Sequence, residues 1–503
     1  MTTSTQKYAA TLGELKKQGY RIKSIKDELR DNLVRKLRNN EEIFPGIEGF
    51  EDTVIPDLQR AVLSRHDILL LGLRGQAKTK IARLMVNLLD EYIPIVEGSE
   101  INDDPLAPQS YYARTRVEEE GDNTPISWVH RSERFTEKLA TPDVTVADLI
   151  GDADPIKAAN LKLSYSDERV IHFGLVPRAN RAIFIINELP DLQARIQVAL
   201  FNILQEGDIQ IRGFKLRLPL DIQFIFTANP EDYTNRGSIV TPLKDRIDSQ
   251  ILTHYPPDIQ TSAKITQNEA AQPESQEERV QVDPLMADLL EQVAFEARNS
   301  EYVDSKSGVS ARLTISGYEN LFSAAERRLL INQEENTFVR LSDIPGIIPA
   351  ITGKIELVYE GEQEGPINVA HLLIGKAIRT LFSQYFPNPE QLSREPSENP
   401  YKGIINWFEK GNSLELHADM STAEYQQELD KVSGLKNLVD EYSDNSDPNE
   451  KYLLMEFLLH GLAEYSMLSK DILNNGHNFK DILSGMLSKG SPDDDEGFDE
   501  SHF

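Results

Sequence analysis

Residues 43–256 predict an α/β fold with a parallel sheet covered by helices, and three observations carry the prediction. Strand-like and helix-like patterns alternate through this stretch, as they do when each strand is returned to its neighbour by a helix. Two unbroken apolar runs, Ala182–Ile186 (AIFII) and Phe224–Ala228 (FIFTA), read as strands buried on both faces. A third run, Ile68–Leu71, turns through glycines straight into the helical pattern Ile81, Leu84, Met85, Leu88.

That third turn reads Gly-Leu-Arg-Gly-Gln-Ala-Lys-Thr over residues 72–79. A strand that enters a helix this way gathers several backbone N–H groups and the positive helix end at one point, a geometry that binds phosphate. The candidate binding residues are Gly72, Gly75, Gln76, Ala77, Lys78, Thr79 and Lys80. Lys78 would reach the β- and γ-phosphates of ATP, and the Thr79 hydroxyl would hold Mg²⁺. Ala77 stands where such loops usually carry a second glycine. The blander alternative is an ordinary strand–turn–helix connection with a surface lysine.

The run at 182–186 ends in Asn187-Glu188. A carboxylate at a strand tip beside a phosphate loop can polarise the water that attacks the γ-phosphate, and Glu188 is placed for that role. Asn187 can accept a hydrogen bond from a metal-bound water but brings no negative charge, so hydrolysis is expected to be slow. The run at 224–228 ends in Asn229-Pro230, and this amide could hold the same water from its other side. Between the two, Gly207–Lys215 reads as a hairpin turning at Gly213. Thr241–Ile247 (TPLKDRI) opens a helix that could present Arg246 to a neighbouring subunit's nucleotide. Arg312, in Gly308–Arg312 (GVSAR), begins a later helical pattern and could sense loss of the γ-phosphate. Alone, either arginine reads more readily as a surface residue.

Composition sets the outer bounds. A chain of 503 residues, 39% hydrophobic, has room for two to four domains, and its mean hydropathy of −0.43 describes a globular protein. No apolar stretch is long enough to cross a bilayer, and no signal-peptide pattern is seen at the N-terminus. The absence of cysteine excludes disulfides and thiolate metal sites and fits a cytoplasmic location. Nine scattered histidines show no zinc-binding spacing. With 53 basic and 82 acidic residues the net charge is −29, which argues against nucleic acid and acidic membranes as partners.

The expected organisation is a helical extension at 1–42, the α/β core at 43–256, and a linker with a helical lid at 257–357. A further helical domain at 358–490 and an acidic, disordered tail at 491–503 complete it. Residues 257–283 are polar and read as a mobile connection. Tyr452–Leu468 is apolar on most faces and reads as a buried core helix.

The order of these motifs resembles an AAA+ ATPase of the magnesium chelatase I-subunit and MoxR group. The resemblance rests on the phosphate loop, Glu97–Pro108, Asp148–Ala158, Phe173–Leu189, Phe226–Pro230, Leu243–Ile247, Ser310–Arg312 and Thr337–Ile355, and covers about residues 43–357. It implies an αβα nucleotide-binding domain, a helical lid, and a homo-oligomeric ring, typically a hexamer, with ATP between subunits. By position it implies that Lys78 and Thr79 hold phosphate and Mg²⁺, that Glu188 polarises water, and that Asn229 is sensor 1. It also implies that Arg246 acts in trans, that Arg312 is sensor 2, and that Arg178 and Arg181 line the subunit interface. The departures are Ala77, Asn187 and Pro190. A chaperone-like ATPase that remodels a partner protein is the implied function, the partner being a separate von Willebrand A-domain protein. This chain itself lacks an Asp-x-Ser-x-Ser motif. Insertion of Mg²⁺ into a porphyrin is a narrower version that the departures disfavour. A sigma-54-type activator is a second reading, but Asp152–Lys157 stands where its Gly-Ala-Phe-Thr-Gly-Ala loop belongs. A nucleotide-gated scaffold with little hydrolysis is a third, motivated by Asn187.

Overall fold

Every residue of Ala182–Asn187 and of Ile222–Ala228 is buried. In a strand successive side chains point to opposite faces, so full burial requires helices on both sides. The computed structural model describes residues 8–165, 167–211, 214, 217–230, 238–392, 399–443, 447–473 and 475–482. It divides into two units, Met1–Tyr255 and Pro256–Phe503.

The first unit is built on five strands: β1 (Ile68–Leu71), β2 (Phe135–Leu139), β3 (Ala182–Asn187), β4 (Ile222–Ala228) and β5 (Ser249–Leu252). Their order is β5-β1-β4-β3-β2 and all neighbours are parallel. The chain leaves β1 for the far edge, returns strand by strand to β4, and crosses over β1 to reach β5. The C-terminal tips of β1, β3 and β4 therefore share one edge, where ligands bind in open α/β sheets. This is the αβα arrangement that the sequence resemblance implies.

Two cores flank the sheet. Phe184, Ile186, Phe224 and Phe226 pack with Leu192, Ile196 and Leu200 on one face. Ile183, Ile185, Ile225 and Ile251 pack on the other with helices α1 (Ile25–Arg38), α2 (Val54–Leu63) and α3 (Lys78–Leu84). Each such side chain contributes about 1.5–3 kcal/mol on burial. Ile25, Leu29 and Leu33 recur at helical spacing on α1 and join this second core. Residues expected to form an extension thus supply one of its covering helices. The Ser24 side chain caps α1 by accepting from the Asp27 N–H. Arg134 fixes α1 against the start of β2 through Glu28, with both guanidinium–carboxylate contacts at 2.7 Å. The hairpin expected after Gly207 pairs Asp208–Gln210 with Arg217–Pro219, and its turn residue Gly213 lies outside the described residues.

The second unit has one apolar core running from Val280 to Phe479. Its long helices are α4 (Pro284–Arg298), α5 (Arg312–Asn332), α6 (Pro366–Tyr385) and α7 (Pro448–Glu464). A three-stranded antiparallel sheet, Leu414–His417, Gly476–Lys480 and Ser469–Leu473 in spatial order, accompanies the helices. On α7 every residue from Leu453 to Leu462 is buried, as its all-round apolar pattern predicts. It ends at Glu464 rather than Leu468, because Ser469 opens a strand.

The polar stretch 257–283 is not the structureless connection that its composition suggests: it holds a helix, Ile259–Glu269. Ser262 and Thr266 on that helix each donate to the buried Glu291 carboxylate at 2.5 Å. A helix anchored by hydroxyls rather than apolar side chains leaves little periodic signal in its sequence. The tail at 491–503 lies outside the described residues.

Candidate functional site

The loop between β1 and α3, residues 72–77, is shaped by its glycines and by contacts to the end of β5. A Cβ at Gly72 would stand 2.1 Å from Thr253 Oγ1 and 2.2 Å from Gln76 Oε1, so any larger residue would have to displace both side chains. Those two neighbours hydrogen-bond to each other at 2.8 Å and lock the loop to the end of β5. Gly75 has φ +73° and Ala77 has φ +53°. The left-handed conformation costs an alanine about 1–2 kcal/mol that a glycine would not incur. Ala77 therefore keeps the backbone shape of the missing glycine and bears its strain.

Lys78 is only 8% exposed, and its Nζ lies among three oxygens. It donates to the Gly72 carbonyl at 2.5 Å, the Leu73 carbonyl at 2.7 Å and Asn229 Oδ1 at 2.8 Å. The tips of β1 and β4 are thereby joined through one ammonium group. Thr79 Oγ1 donates to Asn187 Oδ1 at 3.5 Å, and Thr227 Oγ1 donates to the same oxygen at 3.0 Å. The tip of β3 is thus drawn into the same cluster.

Glu188 follows directly, half-buried, with φ +56° and ψ +48°. Its N–H donates to Thr227 Oγ1 at 3.2 Å. A left-handed glutamate at a strand tip is backbone strain of about 1 kcal/mol or more, the kind that surrounding structure holds in place at working sites. Gly72, Gly75, Gln76, Ala77, Lys78, Thr79, Asn187, Glu188 and Asn229 all meet at this edge.

The remaining candidates lie elsewhere. Lys80 Nζ donates to the Gly46 carbonyl at 2.9 Å. Arg246 binds Gln205 Oε1 at 2.8 and 3.1 Å and the Pro242 carbonyl at 2.7 Å, with its guanidinium over the Phe201 ring. Arg178 is exposed and borders a cleft with Asp148, Asp152, Asp154 and His172. Arg181 departs from the expectation of an interface residue, being 8% exposed. It pairs with Asp104 at 3.2 Å and also donates to the Pro94 carbonyl and the Tyr20 hydroxyl. Its φ of +58° turns the chain inward just before β3. Arg312 belongs to the second unit, exposed at the start of α5.

Four residues of the site were not singled out from the sequence: Glu137, Arg83, Thr227 and Thr253. Thr227 stands two places before Asn229 on an apolar strand, a position that period-2 alternation could have flagged. Glu137 is reached only through the register of β2 on β3, which pairs it with Ile185. Its Oε1 accepts from Asn187 Nδ2 at 2.6 Å, and Arg83 grips both of its oxygens at 2.7 and 3.0 Å.

Among the described residues no group of three or more His, Cys, Asp or Glu side chains could hold a metal ion unaided. The Thr79 hydroxyl and the Asn187 carbonyl oxygen do suit a hydrated Mg²⁺ that arrives with phosphate oxygens as its main ligands. No helix among the described residues is long and apolar enough to cross a membrane.

No protein-family model matches the chain. In sequence it is similar to the magnesium-chelatase 38 kDa subunit of Cereibacter sphaeroides, 26% identical over 201 residues, or 39% of this chain and 54% of that one. The Rhodobacter capsulatus counterpart is 25% identical over 226 residues, 44% of this chain and 59% of that one. The chain thus spans rather more than half the length of the curated relatives it matches. Among solved structures, a complex of magnesium chelatase subunits BchI and BchD is 19% identical, with a TM-score of 0.34, over 64% of this chain and 98% of that one. NtrX from Brucella abortus in complex with ATP is 13% identical, with a TM-score of 0.38, over 80% of this chain and 72% of that one.

Proposed function

We propose that the chain is an AAA+ ATPase that binds ATP with Mg²⁺ at the tips of β1, β3 and β4 and hydrolyses it slowly. The observation that carries this reading is the hydrogen-bonded path from Lys78 to Asn229 and from Thr79 to Asn187, next to the strained Glu188. The similarity to the chelatase 38 kDa subunit supports it.

Each residue has a distinct task in that chemistry. Gly72 and Gly75 let the loop backbone approach phosphate closely, and Lys78 places its charge against the β- and γ-phosphates. Thr79 and Asn187 would help to hold a hydrated Mg²⁺ with neutral oxygens. When bound, Mg²⁺ would neutralise charge as it develops on the transferring phosphoryl group. Glu188 takes a proton from the attacking water, and Asn229 holds that water from the β4 side.

The wider reading follows the same relatives. Subunits would assemble into a homo-oligomeric ring, a hexamer, in which Arg246 serves a neighbour's nucleotide and Arg312 acts as sensor 2. The work output would be remodelling of a protein partner in the cytoplasm, a von Willebrand A-domain protein in the form the chelatase resemblance suggests. Arg178, exposed in its cleft, is the better interface candidate of the two arginines; Arg181 is committed internally.

The test is single-turnover and steady-state phosphate release by the full chain. Glu188→Gln should reduce turnover by about 10²–10⁴-fold while nucleotide still binds. Wild-type turnover no greater than that of Lys78→Ala would instead favour a nucleotide-gated scaffold, the reading that the neutral Asn187 motivates.

A further inference from the structure

Resting on the nucleotide-site reading above, we infer that Glu137 is a positioning residue that supplies, through Asn187, the negative charge that position 187 itself lacks. The Asn187 carboxamide is held in one orientation. Its Nδ2 donates to Glu137 Oε1 at 2.6 Å, while its Oδ1 accepts from Thr227 at 3.0 Å and Thr79 at 3.5 Å. The reverse orientation would set the amide oxygen against a carboxylate, so the amide oxygen is kept toward the phosphate-loop threonine.

A hydrogen bond to an ionised carboxylate at this length is of the strong, charge-assisted kind. It polarises the amide and makes Oδ1 a better acceptor where metal-bound water would sit. Glu137 is itself fixed by Arg83, four residues after Thr79 and so on the same face of α3. Arg83, Glu137, Asn187 and Thr79 close a ring between α3, β2 and β3. As a plain surface ion pair the Arg83–Glu137 contact would do little, since the Arg83 side chain is 61% exposed. Its consequence lies in where Glu137 directs its second lone pair.

The arrangement inverts a simple expectation. Asn187→Asp would restore the usual residue at the strand tip, yet it would set two carboxylates against each other at about the present 2.6 Å contact. The charge belongs to the pair rather than to position 187. Exchanging the two groups, Glu137→Gln with Asn187→Asp, retains one charge and one hydrogen bond.

The test is titration of the full chain with a fluorescent ADP analogue, once with magnesium chloride and once with EDTA. The wild type should bind more tightly with magnesium. Glu137→Gln should lose about tenfold of that magnesium-dependent gain, a typical cost for a group behind a metal ligand, with its EDTA affinity unchanged. Asn187→Asp alone should also lose it, and the double variant should recover most of it. An unchanged magnesium gain in Glu137→Gln, a double variant no better than either single one, or equal losses with and without magnesium would each overturn the inference. Absence of nucleotide binding by the wild type under both conditions would remove the site reading and this inference together.

Discussion

The two units handle buried polar groups in opposite ways. In the first, Lys78, Asn187, Thr227 and Asn229 gather at an open sheet edge and hydrogen-bond mainly to one another and to loop carbonyls. In the second, Arg328, Arg340, Asp343, Tyr425 and Glu456 form an enclosed network. Arg328 binds Asp343, Asp343 accepts from the Arg340 N–H at 2.8 Å, and Glu456 accepts from Tyr425 and from the Leu341 N–H. An edge cluster can exchange its internal hydrogen bonds for those of a ligand. An enclosed one can only hold the core in register, and it is costly to break.

The largest effects should separate the two. Arg328→Leu deprives the buried Asp343 of its ion-pair partner, so denaturant unfolding should show a loss of about 3–5 kcal/mol. Lys78→Ala should instead cost about 10²–10³-fold in kcat/KM for ATP, the scale of one lost transition-state donor, with little change in unfolding midpoint. A large fall in stability from Lys78→Ala would break the comparison.

Glu456 gives a finer test. Burial pushes its carboxyl from the usual 4.5 to about 7, against the lowering influence of Tyr425 and Arg340. The folded state therefore holds this proton more tightly than the unfolded chain does. Stability from this group is fully present below about pH 4.5 and is lost as pH rises toward 7. Glu456→Gln removes the dependence, so between about pH 4 and pH 8 the variant should gain about 3 kcal/mol on the wild type in equilibrium unfolding. The smallest effect belongs to the loop: Ala77→Gly relieves the left-handed alanine at a cost in chain entropy, for a net gain of about 1 kcal/mol or less.

What the sequence made legible follows the same division. The strands at 182–186 and 224–228 were readable because burial on both faces leaves an unbroken apolar run. The passage from β1 into α3 was readable because glycines at 72 and 75 interrupt the apolar run ahead of a helical pattern. Glu137 was not, since only strand register brings β2 beside Asn187. The helix Ile259–Glu269 was hidden because the Ser262 and Thr266 hydroxyls, donating to the Glu291 carboxylate, anchor it. The strands at 414–417, 469–473 and 476–480 are short and carry charged side chains, a weak signal beside the long helices. Arg181 looked accessible because an inward turn at positive φ has no mark in the sequence other than the residue itself.

The proposed convergence of three strand tips on one nucleotide is tested most directly by calorimetric titration of the full chain with MgATP. One site per chain is expected, retained in Glu188→Gln and lost in Lys78→Ala. Equal affinity in the wild type and Lys78→Ala would contradict it.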